Sequence, residues 1–464
     1  MQDDLDVRGK ARDLSRGLEG KARDLWDLAG DSAGRPITRR DLLAAGAAGS
    51  AVLYLAACGG SSGGSNTTLS KEPVTINNLF MQQAGYSPQD LAGMTKAFEK
   101  KYPNITVNNT LVSYDALHDK IVASAPAGTY DVVLGDCIWP AEFGSRGIVQ
   151  DITDDVNSLP VKDIFPGAIQ MALYQGKYYG QPWILDTKYL YYNKQMCSQA
   201  GVSGSDFKTI DGMVAALKKI KKSGVVQYPW IGSWDQAEAV ICDYAQFLGA
   251  YDGQFLDSSG KAAFNTGGGV KALELMKMLL DDGLANPAST SSLEDDVLKS
   301  FTQGQNAANL NWTFQLATAN DPKQSKVAGQ TAIAHTPAGP GGKAPGCNGG
   351  QPVMISRTAK HPAEAWAFIK FISSQAIQNQ YATVSLPIWS ASYSDPAVIK
   401  QAGKDLVDVA KTQLPDMILR PQVPNYNASS AKLQVEIQNA LLGKSSVQDA
   451  LNTAADFFDS NANA

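Results

Sequence analysis

The chain is 464 residues long, 44% hydrophobic and 18% charged, with 42 Gly, 22 Pro and five Cys. This composition lies near the globular average, which excludes whole-chain disorder, collagen and coiled coil and supplies core for two or three domains without disulfide staples. Forty Lys and Arg against 45 Asp and Glu leave a net charge of −5, so there is no electrostatic footprint for nucleic acid. Three His and no closely spaced Cys pair argue against a metal site, and no cofactor is expected.

In chain order, Gly9-Lys10-Ala11-Arg12-Asp13-Leu14 recurs as Gly20-Lys21-Ala22-Arg23-Asp24-Leu25. The repeat fits a short amphipathic helix at the head of a targeting segment. Gly30-Asp31-Ser32-Ala33-Gly34 matches the serine-hydrolase elbow in letters only, because no buried strand precedes it. Arg39-Arg40-Asp41-Leu42-Leu43 then resembles a twin-arginine export signal. Residues 42–57 are Ala/Gly/Leu-rich and too short for a stable membrane span. Leu55-Ala56-Ala57-Cys58 resembles a bacterial lipobox, which would make Cys58 the lipidated first residue of the mature protein. The expectation is a removed segment 1–57, then a lipid anchor and tether over 58–72, with two acyl chains giving stable attachment. The nine Lys/Arg and nine Asp/Glu of residues 1–57 cancel, so the mature part keeps the whole −5.

From residue 74 onward β-rich runs alternate with helical patterns. Strands are expected at 74–81, 105–112 and 130–135, with helices at 88–101 and 114–124 between them. Ser87, Pro88 and Asp90 form a complete helix-start signal. Further helices are expected at 207–223, 235–249, 267–282, 292–303 (capped by Ser292), 362–373, 428–442 and 446–458 (capped by Ser446). The alternation points to an α/β fold with largely parallel sheets. About 400 residues exceed one core, and no low-complexity linker divides them, so two discontinuous lobes are expected.

No catalytic motif survives scrutiny. Gly443-Lys444-Ser445 lacks the strand and first glycine of a phosphate loop. The carboxylate clusters Asp151/Asp154/Asp155, Asp281/Asp282 and Glu294/Asp295/Asp296 fall at expected helix ends, where acidic residues cap or are solvated. Four Cys remain after Cys58; the preferred pairing is Cys197–Cys242 with Cys137–Cys347, and buried free thiols are the alternative. The stronger signal is Trp beside polar groups, at Trp139, Trp183, Trp234, Trp312 and Trp389. An aromatic face with Asp, Asn, Gln and Arg suits a neutral polyol such as a sugar, and at least two of these five Trp are expected in one cleft.

Several ordered segments then carry a resemblance over about residues 73–460. They include Phe98-Glu99-Lys100-Lys101-Tyr102-Pro103-Asn104, Tyr130-Asp131-Val132-Val133 with Asp136 and Trp139, Tyr179-Gly180-Gln181-Pro182, Phe301-Thr302-Gln303-Gly304-Gln305, Gly349-Gly350, and Arg420-Pro421-Gln422-Val423-Pro424. Together they resemble the extracellular sugar-binding lipoproteins of ABC importers, nearest the trehalose/maltose-type members. The resemblance implies a two-lobed periplasmic-binding-protein fold, type II-like, with hinge crossings and a central ligand cleft. Lobe one would be 73–182 with 352–386, and lobe two 183–347 with 390–460.

It also implies a non-enzymatic, monomeric receptor that captures a di- or oligosaccharide and hands it to ABC permease subunits in the membrane. Gln82, Gln83, Asp136 and Trp139 would line lobe one, and Trp234, Trp312 and Arg420 lobe two, with Asp186, Gly349 and Gly350 near the hinges. Asp136 would accept hydroxyl donors, Arg420 would donate or anchor closure, and Trp234 and Trp312 would stack on the ligand. The rival solutes are a polyamine, a glycerol phosphodiester and a peptide; a polyamine would require several carboxylates in the cleft. The other rivals are an exported carbohydrate-active enzyme using Asp136 and Asp186 as acid and base, and an adhesion module, which would need no cleft and no small ligand.

Overall fold

The computed structural model describes residues 68–82 and 85–462. Arg39, Arg40, Cys58, Gln83, the repeat at 9–25, the 30–34 motif and most of the tether lie outside the described residues. The described residues belong to one compact unit, 63–464. No described helix is long and apolar enough to cross a membrane.

The start of this unit is dictated locally. Strand Val74–Met81 pairs in parallel with Ile105–Val112, in register from Val74 opposite Ile105 to Met81 opposite Val112. The helix Pro88–Lys101 joins them as the crossover. At its first turn the Asp90 amide donates to Ser87 Oγ and the Ser87 amide donates to Asp90 Oδ2, both at 3.1 Å. Two orphan amide donors are thereby satisfied reciprocally. Leu91, Met94 and Phe98 recur at helical spacing and are buried. Phe98 meets the Phe368 and Phe371 rings at 5.1 and 5.6 Å, so this helix packs on Pro362–Ile372.

A five-stranded sheet runs edge to edge as Ile105–Val112, Val74–Met81, Val132–Leu134, Gln351–Ile355 and Gln181–Ile184. A four-stranded sheet runs Thr331–Ala334, Tyr189–Asn193, Ala308–Asn311 and Trp230–Ile231. The chain therefore leaves the first sheet after Ile184 and returns to it at Gln351. Tyr189, Leu190 and Tyr191 are fully buried, as a central strand covered on both faces requires. Helices Glu238–Ala250, Gly268–Asp281, Tyr426–Leu441 and Val447–Asn461 pack on one another, and the first of them also packs on the strand pair Gly346–Cys347 and Met417–Ile418.

Both sheets are mixed, which corrects the expectation of largely parallel sheets. Gln351–Ile355 runs antiparallel to both of its neighbours, and so does Tyr189–Asn193. Each of these strands sits at a crossing between sheets and enters without the helical crossover that a parallel partner needs. Helix starts also move. The expected 235–249 helix begins at Glu238, and the expected 292–303 helix begins at Glu294. Ser292 does not cap: its hydroxyl donates to the Ala288 carbonyl at 2.7 Å, while Asp296 Oδ2 accepts from the Leu293 amide at 3.1 Å. Ser446 does cap, accepting from the Asp449 amide at 3.0 Å.

Candidate functional site

Loops at the ends of both sheets converge on a cleft of about 200 Å³, a space that roughly seven waters would fill. From the first sheet, the turn after Val132–Leu134 delivers Asp136, which is buried on the cleft wall. Its Oδ1 accepts from the Ile138 amide at 3.3 Å and its Oδ2 from the Tyr114 hydroxyl at 2.9 Å. Tyr114 is the first residue of helix Tyr114–Ser124, and burial followed by the nearby Asp136 charge pushes its phenol well above the ordinary range.

Arg420 crosses to meet this carboxylate. It follows strand Met417–Ile418, which pairs in parallel with Gly346–Cys347, and is 2% exposed. Its Nη2 donates to Asp136 Oδ1 at 3.0 Å and its Nη1 to Glu238 Oε1 at 2.7 Å. Glu238 opens helix Glu238–Ala250, where the helix dipole favours a negative charge. It also accepts from the Tyr426 hydroxyl at 2.6 Å and Ser430 Oγ at 2.5 Å. The guanidinium thus joins a carboxylate from each side of the cleft. Burial opposes its charge, but the Asp136 and Glu238 carboxylates hold it firmly protonated.

Trp312 and Asp186 form another wall. The Trp312 indole donates to Glu294 Oε1 at 3.2 Å, and Lys188 Nζ lies 5.3 Å from the ring centre. Lys188 is fully buried and donates to Asp243 Oδ1 and Ser233 Oγ, each at 2.7 Å, with Glu294 at 3.4 Å. Burial would strip its proton, but the Asp243 and Glu294 carboxylates more than compensate and raise its pKa. Asp186 accepts from Thr313 Oγ1 at 2.9 Å and from the Thr187 amide at 2.8 Å. With no cation beside it among the described residues, its burial lifts the carboxyl to about 7. Gly349 lies against Trp312, and a Cβ there would overlap the ring, so only glycine lets the backbone approach.

Of the residues singled out from the sequence, Asp136, Asp186, Trp312, Gly349 and Arg420 line this cleft. The others among the described residues do not. Trp139 is buried in a cluster with Tyr114, His118 and Phe143, and the Trp234 indole donates to Asp243 Oδ2 at 3.0 Å inside the core. Gly350 packs on Met171, and Gln82 is exposed, with its backbone amide donating to the Val112 carbonyl. Only one of the five highlighted Trp therefore reaches the cleft. Trp183 packs on Phe80 and Tyr86, and Trp389 donates to the Ser373 carbonyl.

Sequence reasoning missed Glu238, Tyr114 and Gln351, which also line the cleft. None of them carries a motif. Glu294 and Asp295, read as cap or solvated residues, face it too.

The four described Cys are free and buried. The thiols of Cys242 and Cys347 are neighbours, and Cys137 Sγ lies 3.4 Å from the Asn348 carbonyl, so neither expected pairing, Cys197–Cys242 nor Cys137–Cys347, is seen. Cys197 sits apart on helix Lys194–Gln199, its thiol pushed to about 12 by burial. No group of three His, Cys, Asp or Glu among the described residues is placed to hold a metal ion.

Residues 84–379, more than half of the chain, match the family described as bacterial extracellular solute-binding protein. The chain belongs to that family. A probable ABC transporter-binding protein of Deinococcus radiodurans is 27% identical over 71% of this chain and 79% of its own length. The arabinooligosaccharide-binding protein of Bacillus subtilis is 25% identical over 67% of this chain and 71% of its own. Among solved structures, maltose-bound MalE3 of T. maritima superposes with a TM-score of 0.75 at 26% identity, covering 83% of this chain and 98% of that one. These neighbours share the two-lobed α/β architecture, and this solute-binding protein is built on it. The family and its neighbours are binding proteins rather than enzymes.

Proposed function

We propose that this solute-binding protein is the sugar receptor of an ABC importer, capturing its ligand between two lobes and presenting it to permease subunits in the membrane. The observation that carries the reading is the Asp136–Arg420–Glu238 bridge beside the Trp312 face, on a cleft between two sheets. Paired acceptors and donors next to an aromatic face suit a saccharide's hydroxyls and C–H face. Relatives that bind arabinooligosaccharide and maltose add support, and the cleft volume favours one or two sugar rings.

Lobe one is taken as 73–182 with 352–386 and lobe two as 183–347 with 390–460. Ligand contacts made with both lobes shift the population toward the closed form. Arg39 and Arg40 serve export, and lipidated Cys58 holds a monomeric receptor at the outer face of the cell membrane. Asp136 and Asp186 are ligand-positioning groups rather than an acid–base pair. A glycerol phosphodiester fits poorly, because the lining carboxylates outnumber the single lining guanidinium.

Thermal unfolding of the purified protein against mono- and disaccharides, polyamines and glycerol phosphates tests the reading. A sugar at 100 times its Kd adds about 2.7 kcal/mol of stability. The Asp136→Ala variant should stay folded and lose about 1.5–3 kcal/mol of sugar affinity. No shift with any sugar, or hydrolysis of a glycoside, would sink it.

A further inference from the structure

The charge of the cleft narrows its ligand. Asp115, Asp136, Asp186, Glu238, Glu294 and Asp295 line it, against Arg420 as the one lining cation among the described residues. Arg420 is already engaged by Asp136 and Glu238. Lys188, one layer behind Trp312, is held by Asp243 and reaches Glu294 at 3.4 Å. Asp115, Asp186 and Asp295 have no cationic partner among the described residues. Asp295 also has its carboxyl raised, by burial and by the neighbouring charges of Glu294 and Asp296.

A neutral solute would dehydrate these carboxylates and leave their mutual repulsion in place, which is costly away from water. A protonated amine removes that repulsion. A second, independent feature asks for a saccharide: the half-buried Trp312 ring forms part of the same cleft wall. An aromatic wall suits the C–H face of a sugar ring, which a simple polyamine lacks.

Resting on the sugar-receptor reading, we propose that the cleft takes an amine-bearing saccharide, an amino sugar or aminocyclitol glycoside charged at neutral pH. Its ammonium sits among the carboxylates that lack a cation, and its ring lies along Trp312.

The test is calorimetric titration of the purified protein with matched pairs on one skeleton: glucosamine and glucose, galactosamine and galactose, the glucosamine dimer and cellobiose, 2-amino-trehalose and trehalose. At least one amine should bind tenfold or more tightly than its neutral partner, the size expected of one charge-assisted hydrogen bond. The exposed-side variants Asp115→Asn and Asp295→Asn should keep Tm unchanged and lower the preference for that amine over its neutral partner several-fold. Neutral members binding as tightly as the amines would overturn the inference and leave the sugar-receptor reading standing. Binding of spermidine with no sugar of either kind would overturn both, as would no binding at all.

Discussion

Lys188 makes the sharpest energetic claim at the scale of single residues. Its ammonium is fully enclosed and rests 2.7 Å from an equally enclosed Asp243 carboxylate. Lys188→Ala leaves that carboxylate buried without a counter-ion, which costs about 3–5 kcal/mol. Urea unfolding measures it, and the double variant Lys188→Met/Asp243→Leu should recover most of the loss; a single-variant loss under about 1 kcal/mol would mean that water reaches the pair. Asp186 gives a pH signature. Its carboxyl is raised from 3.8 to about 7 by burial, so the folded state favours the neutral form. The stabilisation tied to that proton is complete below about pH 4 and is lost as pH rises through 7. Asp186→Asn should therefore gain stability relative to the parent as pH climbs from 5 to 8 in thermal melts, and a constant difference would refute the assignment. Asp136 and Arg420 were legible because each stands in a short ordered segment. Glu238 was not: its bond to Arg420 spans 182 positions, and no local pattern encodes such a distance.

Elements were legible in proportion to how local their code is. The helix Pro88–Lys101 matches its expected bounds to the residue, because Ser87, Pro88 and Asp90 write its start in consecutive chemistry. Ser87→Ala should cost about 1 kcal/mol in denaturant midpoint experiments without changing the slope. An unchanged midpoint would show that tertiary packing alone sets that end. The strands Gln181–Ile184 and Gln351–Ile355 were invisible for the opposite reason. Each carries a proline, Pro182 and Pro352, and the two lie opposite each other beside a register shift. Proline removes a ladder donor, so such segments read as loops until the fold brings their partners together. Strand direction was lost with them, since it depends on which sheet the chain has just left.

For the molecule as a whole, length and strand–helix alternation already indicated an α/β protein of two lobes. What they could not supply is which loops meet, because the cleft residues run from Met81 to Arg420 in sequence. If ligand draws the lobes together, the radius of gyration measured by X-ray scattering should fall on saturation with a bound sugar; an unchanged radius would leave a rigid receptor. The two sheets are built from buried apolar strands, whereas the cleft takes its chemistry from their ends and the loops beyond. Stability and taste are thereby inherited separately. A lineage can rewrite a loop tip, exchange one carboxylate for an amide and acquire a new diet while the scaffold passes on untouched. Relatives only 25–27% identical are what such a division of labour leaves behind.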